Sequence, residues 1–335
     1  MVPRPIDMIV YVSGTIAYDI ILDYPGRFAE HIDPKKVHVL SVSFLVDKVQ
    51  KSFGGTAANI AYNLRMLGLS TEMIGAIGRA DRETLRRYRN MSIGIKLLKR
   101  SKLGTATGYI ITDRDDNQIA GFYPGAMREA VRLPKIKKDD FAIIAAEHPA
   151  NMVRLAQHYQ KNKINYIFDP GQAITALSRQ QMQICLRGAS ILIGNDYEID
   201  RVLKQAPAPN PSHQGRGKKK KNSSPLVGEA GWGVKGIIIR TLGPKGSEII
   251  FPYRRKIRIG IAKPRKVVDP TGAGDAYRAG LIKGIISGLD LQSAARLGAA
   301  AASFAVEQYG TQNHRYNYKT LVARHNRNFV DKILL

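Results

Sequence analysis

The stretch Asp269-Pro-Thr-Gly-Ala-Gly-Asp-Ala-Tyr-Arg-Ala-Gly280 decides the fold of this chain. Within it, Gly272 and Gly274 bracket a small residue, Ala273, and allow a tight turn whose backbone N–H groups point outward. Apolar residues after the turn recur with helical spacing, so a helix is predicted to begin there. The unpaired N–H groups and the positive dipole end of a helix N-terminus suit a phosphate. The stretch therefore predicts an anion site at the start of a helix.

Asp275 is the anomaly of this turn, because a carboxylate aimed at a phosphate site repels the phosphate. It would fit such a site if its task were to take a proton from the group that attacks the phosphate. The simpler interpretation is a helix-capping Asp on a glycine turn. From these residues alone both interpretations stand.

A second glycine turn lies far upstream, in Phe53-Gly-Gly-Thr-Ala-Ala-Asn-Ile-Ala-Tyr-Asn-Leu-Arg-Met-Leu-Gly68. Its glycine pair, Gly54 and Gly55, precedes apolar positions that recur at three- and four-residue steps, so a helix is predicted. Asn59 lies one turn into that helix, where Asn has a low propensity and is better explained by a hydrogen bond to a partner. Two such turns in this order are far more specific than either turn alone.

The two turns resemble the N-terminal and C-terminal signatures of the PfkB/ribokinase family of carbohydrate and nucleoside kinases. Asn195-Asp-Tyr-Glu198 is similar to the family's Asn-x-x-Glu motif, and Thr241-Leu-Gly-Pro-Lys-Gly246 is similar to its nucleotide-binding strand and turn. Within the family, the chain most resembles bacterial adenosine and nucleoside kinases. Four stretches carry this closer resemblance: Gly121–Met127, Phe168–Gln172, Gly274–Arg278 and Gly310–His314.

The resemblance implies a catalytic role for the Asp269–Gly280 turn. Asp275 would accept the proton of the acceptor's primary hydroxyl group. The turn formed by Gly272, Ala273 and Gly274 would stabilise charge on the transferring phosphoryl group through its backbone N–H donors. On this interpretation the carboxylate that looked anomalous beside a phosphate becomes the general base.

Acceptor binding is implied for residues of the upstream turn and of a small lid. The residues are Asp19, Gly54, Gly55, Asn59 and Tyr123. Asp19 would take the 2′- and 3′-hydroxyls of a ribose, although a carboxylate at this position could also face solvent. Phe122 and Tyr123 could stack on a base, although aromatic residues in a hairpin are more often packing residues.

The implied cofactors are ATP and Mg²⁺. Asn195 and Glu198 are three residues apart and share one face of a helical turn, where they would hold Mg²⁺ through its waters. A simple capping box explains the same spacing. Thr241, Gly243 and Gly246 follow a predicted strand and would contact the nucleotide, with a plain hairpin turn as the alternative. As in some relatives, Asp269 and Thr271 would also shape a monovalent-cation site, such as one for K⁺.

Composition limits the remaining function classes. The 335-residue chain has one cysteine, Cys185, which excludes an internal disulfide and fits a reducing, cytoplasmic compartment. No apolar run approaches the roughly 18–20 residues of a membrane span, so no membrane partner is expected. The net charge of +25 is spread along the chain, apart from Arg216 and Lys218–Lys221, and no aromatic-interleaved element accompanies it. We therefore expect no specific nucleic-acid partner, and a basic nucleic-acid-binding protein remains the alternative from another class.

Apolar runs alternate with helical patterns, which predicts βαβ units and a mostly parallel sheet in an α/β, ribokinase-like fold. Predicted core strands span Met8–Val12, Glu72–Ile77, Phe141–Ala145, Asn165–Phe168, Ile191–Ile193, Gly236–Arg240 and Glu248–Phe251. Predicted helices span Thr56–Leu67, Asp81–Arg89, Ala150–Gln160, Ser178–Leu186, Ala273–Ser287, Leu291–Gln308 and Tyr318–Phe329. One domain, residues 1–335, is expected.

Two regions break this alternation and predict a small β-sheet lid, at about residues 15–49 and 104–124. Its predicted strands are Ile16–Asp23, Val37–Val49, Thr105–Thr112 and Gln118–Tyr123. Residues 206–233 combine prolines, a lysine block and glycines, which predicts an exposed, mobile insertion.

The function expected from the sequence is ATP-dependent transfer of the γ-phosphoryl group to the 5′-hydroxyl of a nucleoside, with adenosine as the first choice. A sugar kinase acting on ribose, fructose or a sugar phosphate is the alternative with the same mechanism. Because relatives either pair through their lids or remain monomeric, a homodimer through the lid stays open.

Overall fold

Aliphatic strands and amphipathic helices alternate along the chain and build one large sheet covered on both faces. The computed structural model describes residues 8–33, 41–115, 117–205, 236–252 and 255–334. The predicted insertion at 206–233 lies outside these residues. None of the helices in the described part of the chain is long and apolar enough to cross a membrane.

The helices begin and end close to the predicted positions. They are α1 (Thr56–Met66), α2 (Arg82–Asn90), α3 (Pro149–Lys161), α4 (Arg179–Arg187), α5 (Asp196–Gln205), α6 (Ala273–Ile286), α7 (Leu291–Ala305) and α8 (Tyr318–Asn328). All seven predicted helices are present, and α5 is the addition. Its Asn195–Glu198 start was recognised as a helical turn, but its length was not predicted.

The strands among the described residues form three sheets. They are β1 (Val10–Ser13), β2 (Ala17–Asp23), β3 (Lys48–Gly54), β4 (Thr71–Ile74), β5 (Ala76–Gly78), β6 (Lys99–Ser101), β7 (Ala106–Thr112), β8 (Gln118–Tyr123), β9 (Phe141–Ile144), β10 (Tyr166–Phe168), β11 (Ala189–Asn195), β12 (Ile237–Thr241), β13 (Ser247–Ile250) and β14 (Lys256–Ile259). Within the described residues the largest sheet has the order β14-β13-β12-β11-β10-β9-β1-β4.

This large sheet is parallel from β4 to β12 and ends in the antiparallel strands β13 and β14. Its two faces are covered separately. One core cluster contains buried residues of α1, α6, α7 and α8, and the other contains buried residues of α3, α4 and α5. Parallel strands gather their carboxyl ends at one edge, where an α/β sheet binds its ligands. The predicted ribokinase-like α/β fold is confirmed.

The packing of α6 against α7 fixes the helix that begins at the glycine turn. A Cβ atom at Gly280 would lie 2.7 Å from the carbonyl oxygen of Leu297 and 2.8 Å from the Cα atom of Gly298. A Cβ atom at Gly284 would lie 2.6 Å from the Cα atom of Ala294. Glycine at both positions lets the two helix backbones approach closely, so α6 is held rigidly against the core.

The lid is a four-stranded sheet in the order β3-β2-β7-β8. Strand β2 pairs antiparallel with β3 and parallel with β7, and β7 pairs antiparallel with β8. A hairpin turn joins β7 to β8, where the N–H of Asp113 donates to the carbonyl of Asn117 at 3.0 Å.

Two strand predictions were wrong. Residues 41–47 form no strand, and the lid strand predicted at Val37–Val49 is instead β3, Lys48–Gly54. This strand lies at an edge of the lid, and its residues other than Gly54 are exposed or only partly buried, so its sequence lacks the apolar run that predicts a buried strand. The strand predicted at Glu72–Ile77 divides at Gly75 into β4 and β5, and β5 leaves the large sheet to pair with β6.

Candidate active site

The anion turn lies at the N-terminus of α6, as predicted. Gly272 precedes the helix with a φ of 81°, a left-handed conformation that favours glycine. The N–H of Ala273 donates to the carbonyl of Pro270 at 3.2 Å. Within the part of the chain that the structure describes, no acceptor is bonded to the N–H groups of Gly274 and Asp275. These two donors are therefore free to bind an anion.

Asp275 lies in the first turn of α6 and is largely removed from solvent. The side-chain amide of Asn59, in α1, donates to its Oδ2 atom at 2.8 Å. Burial raises the pKa of Asp275 to about 7, against the lowering effects of Arg278 and of the hydrogen bond from Asn59. A carboxylate with a pKa near neutrality can take a proton from a hydroxyl group and release it again, which is the requirement for a general base. The structure thus brings the two predicted residues Asp275 and Asn59 together.

A second amide fixes the orientation of Asn59. The Nε2 atom of Gln312 donates to the Oδ1 atom of Asn59 at 2.9 Å, which leaves the Asn59 NH₂ group to face Asp275. The same Gln312 nitrogen lies 3.2 Å from the hydroxyl of Tyr88. Gln312 was quoted only as part of the Gly310–His314 stretch, and its role as a support for Asn59 was missed.

Arg278 is the second residue that sequence analysis did not assign. It is buried one turn after Asp275, and its Nη1 atom donates to the carbonyl of Gly274 at 2.9 Å. Its Nη2 atom donates to the Oδ1 atom of Asp169 at 2.7 Å, and its Nε atom donates to the other carboxylate oxygen. Asp169 follows β10, so this ion pair ties α6 to the carboxyl edge of the large sheet.

Asn195 and Glu198 form the capping box that their spacing allowed. The N–H of Asn195 donates to Glu198 Oε2 at 2.8 Å, and the N–H of Glu198 donates to Asn195 Oδ1 at 2.8 Å. Burial and the nearby Asp169 carboxylate raise the pKa of Glu198. No group of three or more His, Cys, Asp or Glu residues that could hold a metal is found among the described residues. The capping role is confirmed, and the metal role stays a prediction.

The predicted nucleotide strand and turn lie directly beside this capping box. Thr241 pairs with Asn195 across β12 and β11. Gly243 and Gly246 both have left-handed φ values, 55° and 86°. They turn β12 into the antiparallel strand β13, so the hairpin interpretation is confirmed. The nucleotide contacts of Thr241, Gly243 and Gly246 stay a prediction.

Asp19 lies on the lid, and its carboxylate has no hydrogen-bond partner within the described ranges. Two glycines make room for this carboxylate. A Cβ atom at Gly108 would lie 3.0 Å from Asp19 Oδ1, and a Cβ atom at Gly54 would clash with Asp19 Oδ2. Burial raises the pKa of Asp19. Because Gly54 leads into α1 through Gly55, the unpartnered carboxylate lies next to the helix that carries Asn59.

Tyr123 is not brought together with Asp19. Successive side chains of a strand point to opposite faces of a sheet. Phe122 pairs with Gly108, which pairs with Asp19, so Phe122 shares the Asp19 face of the lid. Tyr123 lies on the other face, where it helps to line a separate cavity of about 610 Å³ together with Tyr18 and other residues. The structure therefore favours Phe122, which is 55% exposed, over Tyr123 as an aromatic residue available to a base.

Glu147 is a buried carboxylate at the same edge of the large sheet, and sequence analysis missed it. It follows β9, and its Oε1 atom accepts the N–H of His148 at 2.9 Å. Its Oε2 atom is buried without a partner in the structure as described, and burial raises the pKa of Glu147 to about 8. The available signal was an acidic residue shortly after an apolar strand, at the edge where ligands bind.

Asp269 braces the anion turn. Its Oδ1 atom accepts the N–H of Thr271 at 2.8 Å, and its Oδ2 atom accepts the N–H of Gly310 at 2.8 Å. Both carboxylate oxygens are thus used to hold the backbone, one just before α6 and the other after α7. A monovalent-cation site formed by Asp269 and Thr271 stays a prediction.

The model of the pfkB family of carbohydrate kinases matches residues 14–316 of the chain. The chain belongs to this family. A nucleoside kinase of Methanothermobacter thermautotrophicus is 34% identical over 82% of this chain and 84% of its own length. A nucleoside kinase of Methanocaldococcus jannaschii is 30% identical over 85% of this chain and 89% of its own length.

A solved structure extends these similarities. The Burkholderia thailandensis nucleoside kinase in complex with inosine is 27% identical and superposes with a TM-score of 0.78, covering 97% of this chain and all of the other. As a member of the pfkB family with nucleoside kinase relatives, this chain is a phosphotransferase that uses an alcohol group as acceptor.

Proposed function

We propose that the protein is an ATP- and Mg²⁺-dependent nucleoside kinase that phosphorylates the 5′-hydroxyl of a purine nucleoside, with adenosine as the first choice. The observation that carries this proposal is Asp275, a largely buried carboxylate with a pKa of about 7 beside two unoccupied N–H donors of α6. The nucleoside kinase relatives support a nucleoside acceptor, and the Burkholderia enzyme is described with inosine, a purine nucleoside.

In the proposed reaction the oxygen of the 5′-hydroxyl forms a bond to the γ-phosphorus, and Asp275 accepts the proton of that hydroxyl group. The bond from the γ-phosphorus to the β–γ bridging oxygen breaks, and ADP leaves with that oxygen. The free N–H groups of Gly274 and Asp275 would bind the equatorial oxygens of the transferring group, where charge is present in the transition state.

The lid would hold the nucleoside. The Asp19 carboxylate, which the described residues leave without a hydrogen-bond partner, would accept hydrogen bonds from the 2′- and 3′-hydroxyls of the ribose. Phe122 lies on the same face of the lid and is exposed, so it could stack on the base. Lid closure would then place the 5′-hydroxyl at Asp275.

The charges of the site fit a Mg²⁺–nucleotide complex. Asp169, Glu198 and Asp275 contribute three carboxylates that act on one another, and the positive charge that acts on them is Arg278. A divalent cation would balance the remaining negative charge. Glu198 would hold Mg²⁺ through its waters, because the capping box uses only its Oε2 atom, and the ion would neutralise the phosphates.

An ADP-release assay over nucleosides, pentoses, hexoses and sugar phosphates tests this proposal. We expect the highest kcat/KM for adenosine or another purine nucleoside. The matched control is Asp275→Asn, which should lower the signal at least about 100-fold and so exclude a contaminating kinase. Turnover confined to free sugars or sugar phosphates would replace the nucleoside assignment with a sugar kinase.

A further inference from the structure

Arg278 occupies an unusual position for a structural ion pair. It is 7% exposed, it lies in the turn of α6 that follows Asp275, and its partner Asp169 is 2% exposed. Taking a guanidinium and a carboxylate out of water costs several kcal/mol per ion, and pairing recovers this only when the remaining donors are also bonded. Each of the three guanidinium nitrogens of Arg278 has a partner: two bond the oxygens of Asp169 and one bonds the carbonyl of Gly274.

The Gly274 contact is the link to catalysis. The carbonyl of Gly274 belongs to the peptide group whose N–H is that of Asp275, one of the two free donors of the anion turn. A guanidinium that fixes this carbonyl therefore also fixes the direction of that N–H. Because Asp169 follows β10, the guanidinium is anchored to the rigid sheet and not only to its own helix.

We propose that Arg278 is a positioning residue for phosphoryl transfer: it aims the anion turn through Gly274 and keeps a positive charge beside the general base Asp275. Asp169 acts through it, as its anchor. This inference rests on the proposed phosphoryl transfer at Asp275 and adds to it the residues that make the turn and the base competent.

Electrostatics supports the second half of this role. The groups that act on Asp275 are Asn59 from α1, Asp169 from the end of β10, Glu198 from α5 and Arg278 from α6. Burial, Asp169 and Glu198 raise the pKa of Asp275, whereas Arg278 and the Asn59 hydrogen bond lower it. Removing the positive charge of Arg278 would raise this pKa further, so at neutral pH a larger share of the base would be protonated and inactive.

A second Arg–carboxylate pair in the chain provides the matched control. The Nη1 and Nη2 atoms of Arg324 donate to the two oxygens of Glu307 at 2.8 and 3.2 Å. The Arg324 side chain is about as buried as that of Arg278, at 9% against 8% exposed, whereas Glu307 is 12% exposed against 2% for Asp169. Arg324 lies in α8 and is bonded to neither Gly274 nor Asp275. Loss of this pair therefore reports the effect of breaking a buried ion pair without disturbing the anion turn.

The experiment compares Arg278→Met, Arg278→Lys and Arg324→Met with the parent protein. It measures kcat and KM between pH 5.5 and 9.5, with the acceptor that gives the highest kcat/KM in the ADP-release assay, and the Tm of each variant. For Arg278→Met we expect kcat at pH 7 to fall at least tenfold. The acid limb of the kcat–pH profile should move to higher pH by about one unit, which is the low end of the change that a neighbouring opposite charge makes to the pKa of a carboxyl group. The acceptor KM should change less than about threefold, since nothing in the acceptor contacts has been removed.

The other two variants separate the roles. Arg278→Lys keeps the charge but cannot bond both Asp169 and Gly274 in the same way, so its acid limb should stay in place while kcat falls. Arg324→Met should lower the Tm by an amount comparable with Arg278→Met and leave kcat and the pH profile unchanged. An unmoved acid limb in Arg278→Met, with a loss of kcat no larger than that of Arg324→Met, would reduce Arg278 to a structural ion pair.

A readout without turnover keeps this test separate from the proposed function. Carbon-13 NMR can follow the titration of the Asp275 carboxyl in the ligand-free protein, with the resonance assigned by its absence in Asp275→Asn. A higher Asp275 pKa in Arg278→Met supports the inference whichever acceptor the enzyme uses, and an unchanged pKa overturns it. If Arg278→Met does not fold, Arg278→Gln is the neutral variant, because its amide can still bond Asp169.

Discussion

Replacing Asp275 with Asn should inactivate the enzyme and stabilise it in the same step. The substitution keeps the shape of the side chain and an oxygen that accepts the Asn59 hydrogen bond, which is 2.8 Å long in the structure. It removes the proton acceptor, so kcat should fall about 10²–10⁴-fold, the usual contribution of a general base. The acceptor Kd should change far less, because the amide can still contact the acceptor hydroxyl.

The size of the stabilisation follows from the pKa of Asp275. Burial raises this pKa from its ordinary value of 3.8 to about 7 in the folded protein. Because the folded protein binds this proton more tightly than the unfolded chain does, the parent loses stability as the pH rises from about 4 to about 7. The loss amounts to about 4 kcal/mol at pH 8, at about 1.36 kcal/mol for each pKa unit. The Asn variant has no charge to bury and should not show this loss.

Urea unfolding at a series of pH values measures the difference in the free energy of unfolding between the two proteins. The difference should be small near pH 4 and should grow up to about pH 7, with Asp275→Asn the more stable protein. The contributions of all other titrating groups to the pH dependence are nearly the same in the two proteins and largely cancel, so the difference reports on Asp275. An Asn variant that retains near-parental kcat would return Asp275 to a helix-capping role. A difference that does not change with pH would refute the argument that the carboxylate is held at a raised pKa.

Further predictions concern the lid, the helix packing and the pH profile. Asp19→Asn should raise the KM for a nucleoside at least tenfold, with little change in Tm. 2′,3′-Dideoxynucleosides should be poor acceptors for the parent. Equal nucleoside KM values for the parent and Asp19→Asn would remove Asp19 from the acceptor site. Gly54→Ala should also raise the nucleoside KM, because its Cβ atom would clash with Asp19. Gly121→Ala is the lid control and should leave the KM unchanged, because its Cβ atom would meet nothing within 4 Å. Gly280→Ala should lower the free energy of unfolding by about 1–3 kcal/mol, because its Cβ atom overpacks α6 against α7. Gly260→Ala is the control, since its Cβ atom would meet nothing within 4 Å and should leave the free energy of unfolding unchanged. Equal Tm values for the parent and Gly280→Ala would contradict the close packing. Finally, kcat of the parent should fall as the pH decreases through about 7, where Asp275 gains its proton, and a profile flat down to pH 5 would contradict this assignment.

The order of helices and strands was largely predictable because it depends on local pattern. Buried strands such as β9 and β11 are short aliphatic runs, and α6 and α7 carry helical spacing over many turns, so sequence alone locates them. β3 was misplaced for the opposite reason. It is an exposed edge strand whose stability comes from pairing with β2, and pairing leaves no apolar signature in the strand itself.

The candidate site was predictable only where a residue belongs to a local motif. Asp275 and Asn59 were each singled out from their own turns, but their contact joins positions 216 residues apart. Arg278 and Gln312 acquire their roles from such distant partners, so no local pattern announces them. Phe122 and Tyr123 are neighbours in β8, so their side chains lie on opposite faces of the lid. Which of the two faces Asp19 depends on the strand register, and the register is known only once the pairing partners are known.

The position of the phosphate on the product tests the central claim most directly. Phosphorus-31 NMR of the product formed from adenosine and ATP should show a single 5′-monophosphate. 5′-Deoxyadenosine, which lacks the hydroxyl that Asp275 would deprotonate, should inhibit competitively against adenosine and release no ADP above background. A phosphate on the 2′- or 3′-oxygen, or turnover of 5′-deoxyadenosine, would contradict the placement of the acceptor between Asp19 and Asp275.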